Sequence, residues 1–332
     1  MISEKLLKVL LCFGFIIFCA PLQAATDLSP LFMRIYDQSR SLSYQEQKTL
    51  RDYDIYFIPG ILAESFLSGD KRSSIHLEYV TRDYFSYQLS LLNTKYNIPA
   101  KRLGVSSKNV SETRSNIRQA IAQSANNNRK VLFISHSLGG IALLEEMIEN
   151  PGLQKNIAGV VFMQSPFYGS PLSDIVMEPS YGLKFLLSPL FPYVNLSETT
   201  VTYVGIEART RFMQEHSEEI NNLINTVPLF TFSSFVDSSF SIFRPLIDII
   251  GSGCIKGPGG NCVTSVFYPG PYDKNDGLIP LHSSFLGNAD YVTLEGVDHA
   301  EIILDIPFEK YSKEDVTTTL LRLILQKIQP GL

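Results

Sequence analysis

Ser137 sits in the stretch VLFISHSLGG (131–140), where an apolar run ends in small residues and two glycines follow. A serine is a poor nucleophile alone. It needs a base to take its proton and an acid to orient that base. The spacing resembles a nucleophile elbow, G-x-S-x-G, with Ser135 standing where the first glycine is usual. An elbow needs small residues two before and two after the nucleophile, because strand and helix approach closely there. Gly139 and Gly140 meet the second need, and Ser135 is the next smallest polar choice for the first. A helix starting at Leu138 favours developing negative charge at its N-terminus, and the Leu138 N–H is placed as an oxyanion donor. The alternative is a serine in an ordinary turn. A phosphate loop is excluded, since no Gly-Lys-Ser/Thr follows.

The chain offers five histidines as base: His76, His136, His216, His282 and His299. His136 adjoins Ser137, and successive elbow residues point apart. His76 precedes the elbow, whereas the order required is Ser, acid, His. His216 lies in the helical, acidic stretch FMQEHSEEINNL and reads as a solvated face. His299, in LEGVDHAE just past the last expected strand, is the candidate base. Asp276, in YDKNDGLIPLHSS, is the candidate acid; Asp237 is the second choice, followed by Asp273, Asp290 and Asp298. His282, six residues beyond Asp276, is a loop residue or lines the pocket. A second oxyanion donor is expected from the turn Pro59-Gly60-Ile61-Leu62, at the Ile61 N–H; an ordinary Pro-Gly turn is the alternative.

Strands must carry these residues. Short apolar runs predict strands at 54–58, 130–134, 158–163, 228–235 and 291–294, with a short segment near 98–105. Helical spacing covers 79–96, 111–126, 138–149 and 314–328. Strands alternating with helices predict a mostly parallel sheet, whose site lies beyond the carboxyl ends of the strands. The candidate residues fall at those ends.

Composition sets the frame. The net charge is −5 with no basic cluster, so nucleic acid is not an expected partner. Met1 to Ala25 has a basic start, a short apolar run and small residues. That pattern predicts a signal peptide over 1–24 and a secreted or periplasmic protein, with residues 25–332 forming one domain. Cys254 and Cys262 bracket the Gly/Pro-rich loop IKGPGGN, which in an exported chain predicts a disulfide; two free thiols are the alternative.

Together the segments YFIPGILAE, VLFISHSLGG, FMQSPFYGSPLSD, NDGLIPLHSS and DHAE resemble the α/β-hydrolase superfamily, and within it bacterial class 2 triacylglycerol lipases and esterases. The resemblance runs from about Tyr56 to Ile303 and includes a helix around Glu207 to Asn225. It implies an α/β-hydrolase fold, a mostly parallel central sheet flanked by helices, with a helical cap or lid inserted at about 170–227. It also implies ester hydrolysis through Ser137, His299 and Asp276. Three departures stand out. Pro59 replaces the His of the family's His-Gly oxyanion turn. His282 stands where the family has a cysteine. Glu301 replaces an Asp that holds structural calcium in the family, and no partner carboxylate is evident. No cofactor or catalytic metal is expected.

The segment YGLKFLLSPLFPYV (181–194) is apolar and uncharged but for Lys184, and reads as a lid or as fixed cap structure. It suits acyl chains, so the expected substrate is a lipid or other ester, met in water or at a lipid–water interface. The sequence specifies no folding chaperone. Two further readings remain: an acyltransferase using the same triad, and a non-catalytic binding domain. Because Ser135 reads as a tolerated small residue, Ser135→Gly is expected to keep esterase activity, checked by kinetics on a nitrophenyl ester; a dead variant would give the hydroxyl a role of its own.

Overall fold

A computed structural model describes residues 24–60, 84–177, 197–236, 241, 243–256, 259–265, 272–304 and 309–331. The signal-peptide reading, Ile61, His76, Asp237 and the apolar segment 181–194 lie outside these residues. Eight strands are described: β1 (Tyr53–Ile58), β2 (Ala100–Arg102), β3 (Lys130–His136), β4 (Ile157–Met163), β5 (Leu229–Phe235), β6 (Cys254–Lys256), β7 (Cys262–Ser265) and β8 (Tyr291–Glu295). Six of them form one sheet, in the order β2-β1-β3-β4-β5-β8, with every pairing parallel. The strands are near-continuous apolar runs because a parallel sheet is covered on both faces. All of β4 and β5 is buried.

Six helices matter to the argument: α1 (Ser29–Tyr36), α2 (Val110–Asn126), α3 (Leu138–Glu149), α4 (Ile206–Glu215), α5 (Ser217–Thr226) and α6 (Lys313–Ile328). Helix α2 starts where the Asn109 side chain accepts the Ser111 N–H, and α6 where Ser312 accepts that of Asp315. The expected helix at 207–225 is instead two helices, α4 and α5, broken at His216. His216 is half-buried against Phe212 rather than on a solvated face. The expected helix at 79–96 is described from residue 84 on. There it is one short α-helical stretch, Ser86–Ser90, running into a π-helical turn, Leu91–Lys95.

The register levels the strand ends. Ile58 is paired with Ser135, Ser135 with Phe162, and Met163 with Phe232. The turns after β1, β3 and β4 therefore open at one height. On the outer side, Thr26 and Leu28 exchange backbone hydrogen bonds with Tyr291, at 3.0 and 2.7 Å, so the start of the described chain lines the edge strand β8. The two short strands β6 and β7 form an antiparallel hairpin closed by the expected Cys254–Cys262 disulfide, with Cα atoms 5.7 Å apart.

Helix α3 is buried from Leu138 to Ile148, including Glu145 and Glu146. Buried carboxylates must be paired. Arg118 grips Glu146 through Nε and Nη2, at 2.7 and 2.9 Å, and Arg114 of the same helix α2 adds a contact at 3.4 Å. From the other side Arg209 of α4, 1% exposed, meets Glu145 at 2.5 Å and stacks over Phe212 and Tyr203. Charge thus fastens the central helix to α2 and α4. Cutting a buried pair strands the remaining charge, at a cost of about 3–5 kcal/mol. Glu145→Ala, which leaves the buried Arg209 guanidinium without its carboxylate, is therefore expected to lower the urea midpoint by an amount worth about 3 kcal/mol at unchanged denaturant slope.

Candidate active site

Ser137 occupies the turn between β3 and α3 with φ 54° and ψ −129°, a conformation unfavourable for a residue with a side chain. The turn is held from both sides. The Ser137 N–H donates to the Met163 carbonyl at 3.0 Å, and the Gly140 N–H to the Ser137 carbonyl at 3.0 Å. Gly139 is demanded by close approach: a Cβ there would lie 2.3 Å from the Pro59 carbonyl oxygen and 2.7 Å from that of Ile58. Ser135 is fully buried, and its hydroxyl donates to the Val161 carbonyl of β4 at 3.3 Å. Leu138 opens α3, where helical amides lack an intrahelical acceptor.

The candidate acid and base meet. His299 Nδ1 lies 2.8 Å from Asp276 Oδ2, with Asp276 1% and His299 5% exposed. The other oxygen, Asp276 Oδ1, accepts the Leu278 and Ile279 N–H groups at 3.0 and 2.7 Å. The His299 N–H donates to the Asp276 carbonyl at 2.9 Å, so backbone and side chain both join the two loops. The His299 ring packs on that of His136, with centroids 4.5 Å apart, which brings it beside the residue preceding Ser137. Among the described residues no hydrogen bond joins Ser137 to His299; such bonds commonly tighten only once substrate is bound.

The other candidates go elsewhere. Asp290 pairs with Lys327 at 2.5 Å and caps the Thr26 amide. Asp298 accepts the Ala300 and Glu301 N–H groups and the Ser241 hydroxyl. Its burial, with the nearby Asp276 charge, raises its carboxyl above the usual range. Glu301, the residue standing at the family's calcium position, accepts the Lys310 and Asp298 N–H groups at 2.6 and 3.4 Å. His282 is exposed and stacks on Tyr272, centroids 5.3 Å apart.

Sequence reasoning passed over three residues near the nucleophile. His136 is fully buried, its Nδ1 2.6 Å from the Tyr84 hydroxyl and its Nε2 3.0 Å from Gln164 Oε1. Gln164 follows β4 directly and also has positive φ, 45°. Its position at a strand end was a usable signal; Tyr84 gave none. Burial, and then the neighbouring His299, hold the His136 imidazole well below its ordinary value.

His136 is therefore neutral in the folded chain, while in the unfolded chain it takes a proton below about pH 6.5. Its contribution to stability is complete above that value and is lost as pH falls. The stability advantage of the wild type over His136→Asn is expected to shrink between pH 7 and 5. The rate is up to about 1.4 kcal/mol per unit below pH 6.5. Urea titrations of both proteins at several pH values measure it; a constant difference would contradict a neutral, buried imidazole.

No protein-family model and no curated protein matches the sequence. Solved structures do match in shape. The metagenomic carboxyl esterase MGS0156 aligns with TM-score 0.58 and 17% identity, over 85% of this chain and 77% of its own. The mature Bacillus licheniformis lipase BlEst2 aligns with TM-score 0.53 and 14% identity, over 82% of this chain and 90% of its own. With its parallel sheet, its strained serine between strand and helix, and these structural likenesses, the chain has the α/β-hydrolase fold.

Proposed function

We propose that this protein is an exported serine hydrolase that cleaves carboxylic esters, with acyl chains as the natural substrate class. The observation that carries the reading is the buried Asp276–His299 hydrogen bond packed beside the Ser137 turn. The likeness to an esterase and a lipase supports it.

In this mechanism His299 takes the Ser137 proton through Nε2 as Ser137 Oγ attacks the ester carbonyl. Asp276, acting at Nδ1, holds the imidazole in the required tautomer and stabilises its charged form. The oxyanion is held by the Leu138 N–H, at the positive end of α3, and by the Ile61 N–H. The alcohol leaves with the proton from His299. Water, deprotonated by His299, then opens the acyl-enzyme. The apolar segment 181–194, uncharged but for Lys184, suits the acyl chain.

Ser137→Ala is expected to lower kcat on nitrophenyl esters by at least about 10⁴-fold while leaving the circular dichroism spectrum and thermal midpoint intact. Asp276→Asn, which offers His299 the wrong tautomer, should cost about 10³–10⁴-fold. Hydrolysis that survives Ser137→Ala, or a wild type inactive on every acyl length, would sink the reading. Comparing short and long chains, dissolved and emulsified, separates esterase from lipase. Adding an alcohol acceptor and measuring transesterification tests acyl transfer.

A further inference from the structure

We propose that Tyr84 is a positioning residue: its buried hydroxyl fixes the Pro59–Gly60 turn against the Ser137 elbow and so sets the geometry of the oxyanion site. The inference rests on the serine-hydrolase reading. Three observations lead to it.

The first is the missing support. Neither residue of the Pro59–Gly60 turn has a polar side-chain atom, and Pro59 has no N–H to donate. The turn must be held by something else. The Gly60 N–H donates to the Tyr84 hydroxyl oxygen at 3.0 Å.

The second is how close this turn lies to the nucleophile. A Cβ at Gly60 would fall 2.6 Å from Ser137 Cβ, 2.8 Å from the Tyr84 hydroxyl and 3.1 Å from Ser137 Oγ. The turn therefore packs directly on the serine, and a small displacement of Gly60 moves the wall of the reaction site.

The third is that one set of protons satisfies a chain of buried groups. Tyr84 accepts from Gly60, so its own O–H points to His136 Nδ1, 2.6 Å away. Nδ1 is then the bare nitrogen, and Nε2–H donates to Gln164 Oε1 at 3.0 Å. The Gln164 amide donates its two protons to Ser234 Oγ at 2.6 Å and to the Asp298 carbonyl at 3.0 Å. Tyr84, His136, Gln164 and Ser234 are each 3% exposed or less. Water cannot replace a lost partner there, so every bond constrains the next. The chain starts at the turn after β1, passes through the residue before the nucleophile, and ends at the residue before His299. Donor, nucleophile and base segments are thus held in one register by side chains that never touch substrate.

Tyr84→Phe keeps the ring and removes only the hydroxyl. The test uses steady-state kinetics on a nitrophenyl ester, the rate at which an alkyl nitrophenyl phosphonate labels Ser137, inhibition by an alkyl trifluoromethyl ketone, and the thermal midpoint. The expected result is a kcat lower by about tenfold to hundredfold with KM within about twofold. Binding of the ketone, whose adduct carries an oxyanion, should weaken by the same factor. His136→Leu removes the acceptor and should give the same pattern. Because both changes cut one chain, the double variant should be no slower than the slower single variant.

An unchanged kcat in a folded Tyr84→Phe protein, or losses that multiply in the double variant, overturns the inference. If Tyr84→Phe does not fold, the kcat-against-KM split in His136→Leu decides alone. A wild type that is neither labelled at Ser137 nor active on esters fails differently: it overturns the serine-hydrolase reading and this inference with it.

Discussion

The structure depends on how closely two pieces of backbone approach behind Ser137. Gly139 lets α3 lie against the Ile58 and Pro59 carbonyls, at a distance no side chain tolerates. That contact forces the serine into positive φ and sets the start of α3 directly after it. Its consequences spread outward. The turn after β1 must stay small, hence Gly60. Met163, the last residue of β4, receives the Ser137 N–H on its carbonyl, and the chain turns sharply at the next residue, Gln164, with positive φ. Strain of this kind persists only where the surroundings over-determine it. Here the surroundings are three paired parallel strands whose ends are level, with a helix buried along nearly its whole length.

Burying α3 creates its own difficulty. A helix covered on all sides should be apolar all round, yet Glu145 and Glu146 lie on it. They are tolerated because arginines reach them from two directions, Arg114 and Arg118 from α2 and Arg209 from α4. Such pairs add little net stability against an apolar alternative, but they fix where their partners sit. The ionic cluster therefore sets where α4 sits above the central helix.

Much of this was legible in the sequence, and the reasons are physical. The strands were readable because two-sided burial writes them as uninterrupted apolar runs, and α3 because its start is tied to the turn it leaves. The contact of Asp276 with His299 was foreseeable because both lie in loops rich in turn residues, and the Ser137 turn because small residues flank it. Less was legible where partners are remote. His136 looked like a bystander because adjacent residues point apart; its importance comes from Tyr84 and Gln164, 52 and 28 residues away. The break at His216 was hidden because α4 and α5 continue a single pattern of apolar spacing. Glu301 was read through a family position, whereas its hydrogen bonds from the Lys310 and Asp298 N–H groups depend on the local backbone.

The short pairing of residues 26–28 with Tyr291 has a meaning beyond tidiness. Among the described residues β8 ends the sheet, and its outer side would otherwise offer unpaired backbone groups to any passing strand. The chain covers the start of that edge, at Tyr291, with a segment 264 residues away in sequence, so the shield is assembled from distant parts of the polypeptide. Trimming a few residues near Thr26 would leave the Ser137 turn untouched and uncover backbone groups of Tyr291, which changes the company the molecule keeps.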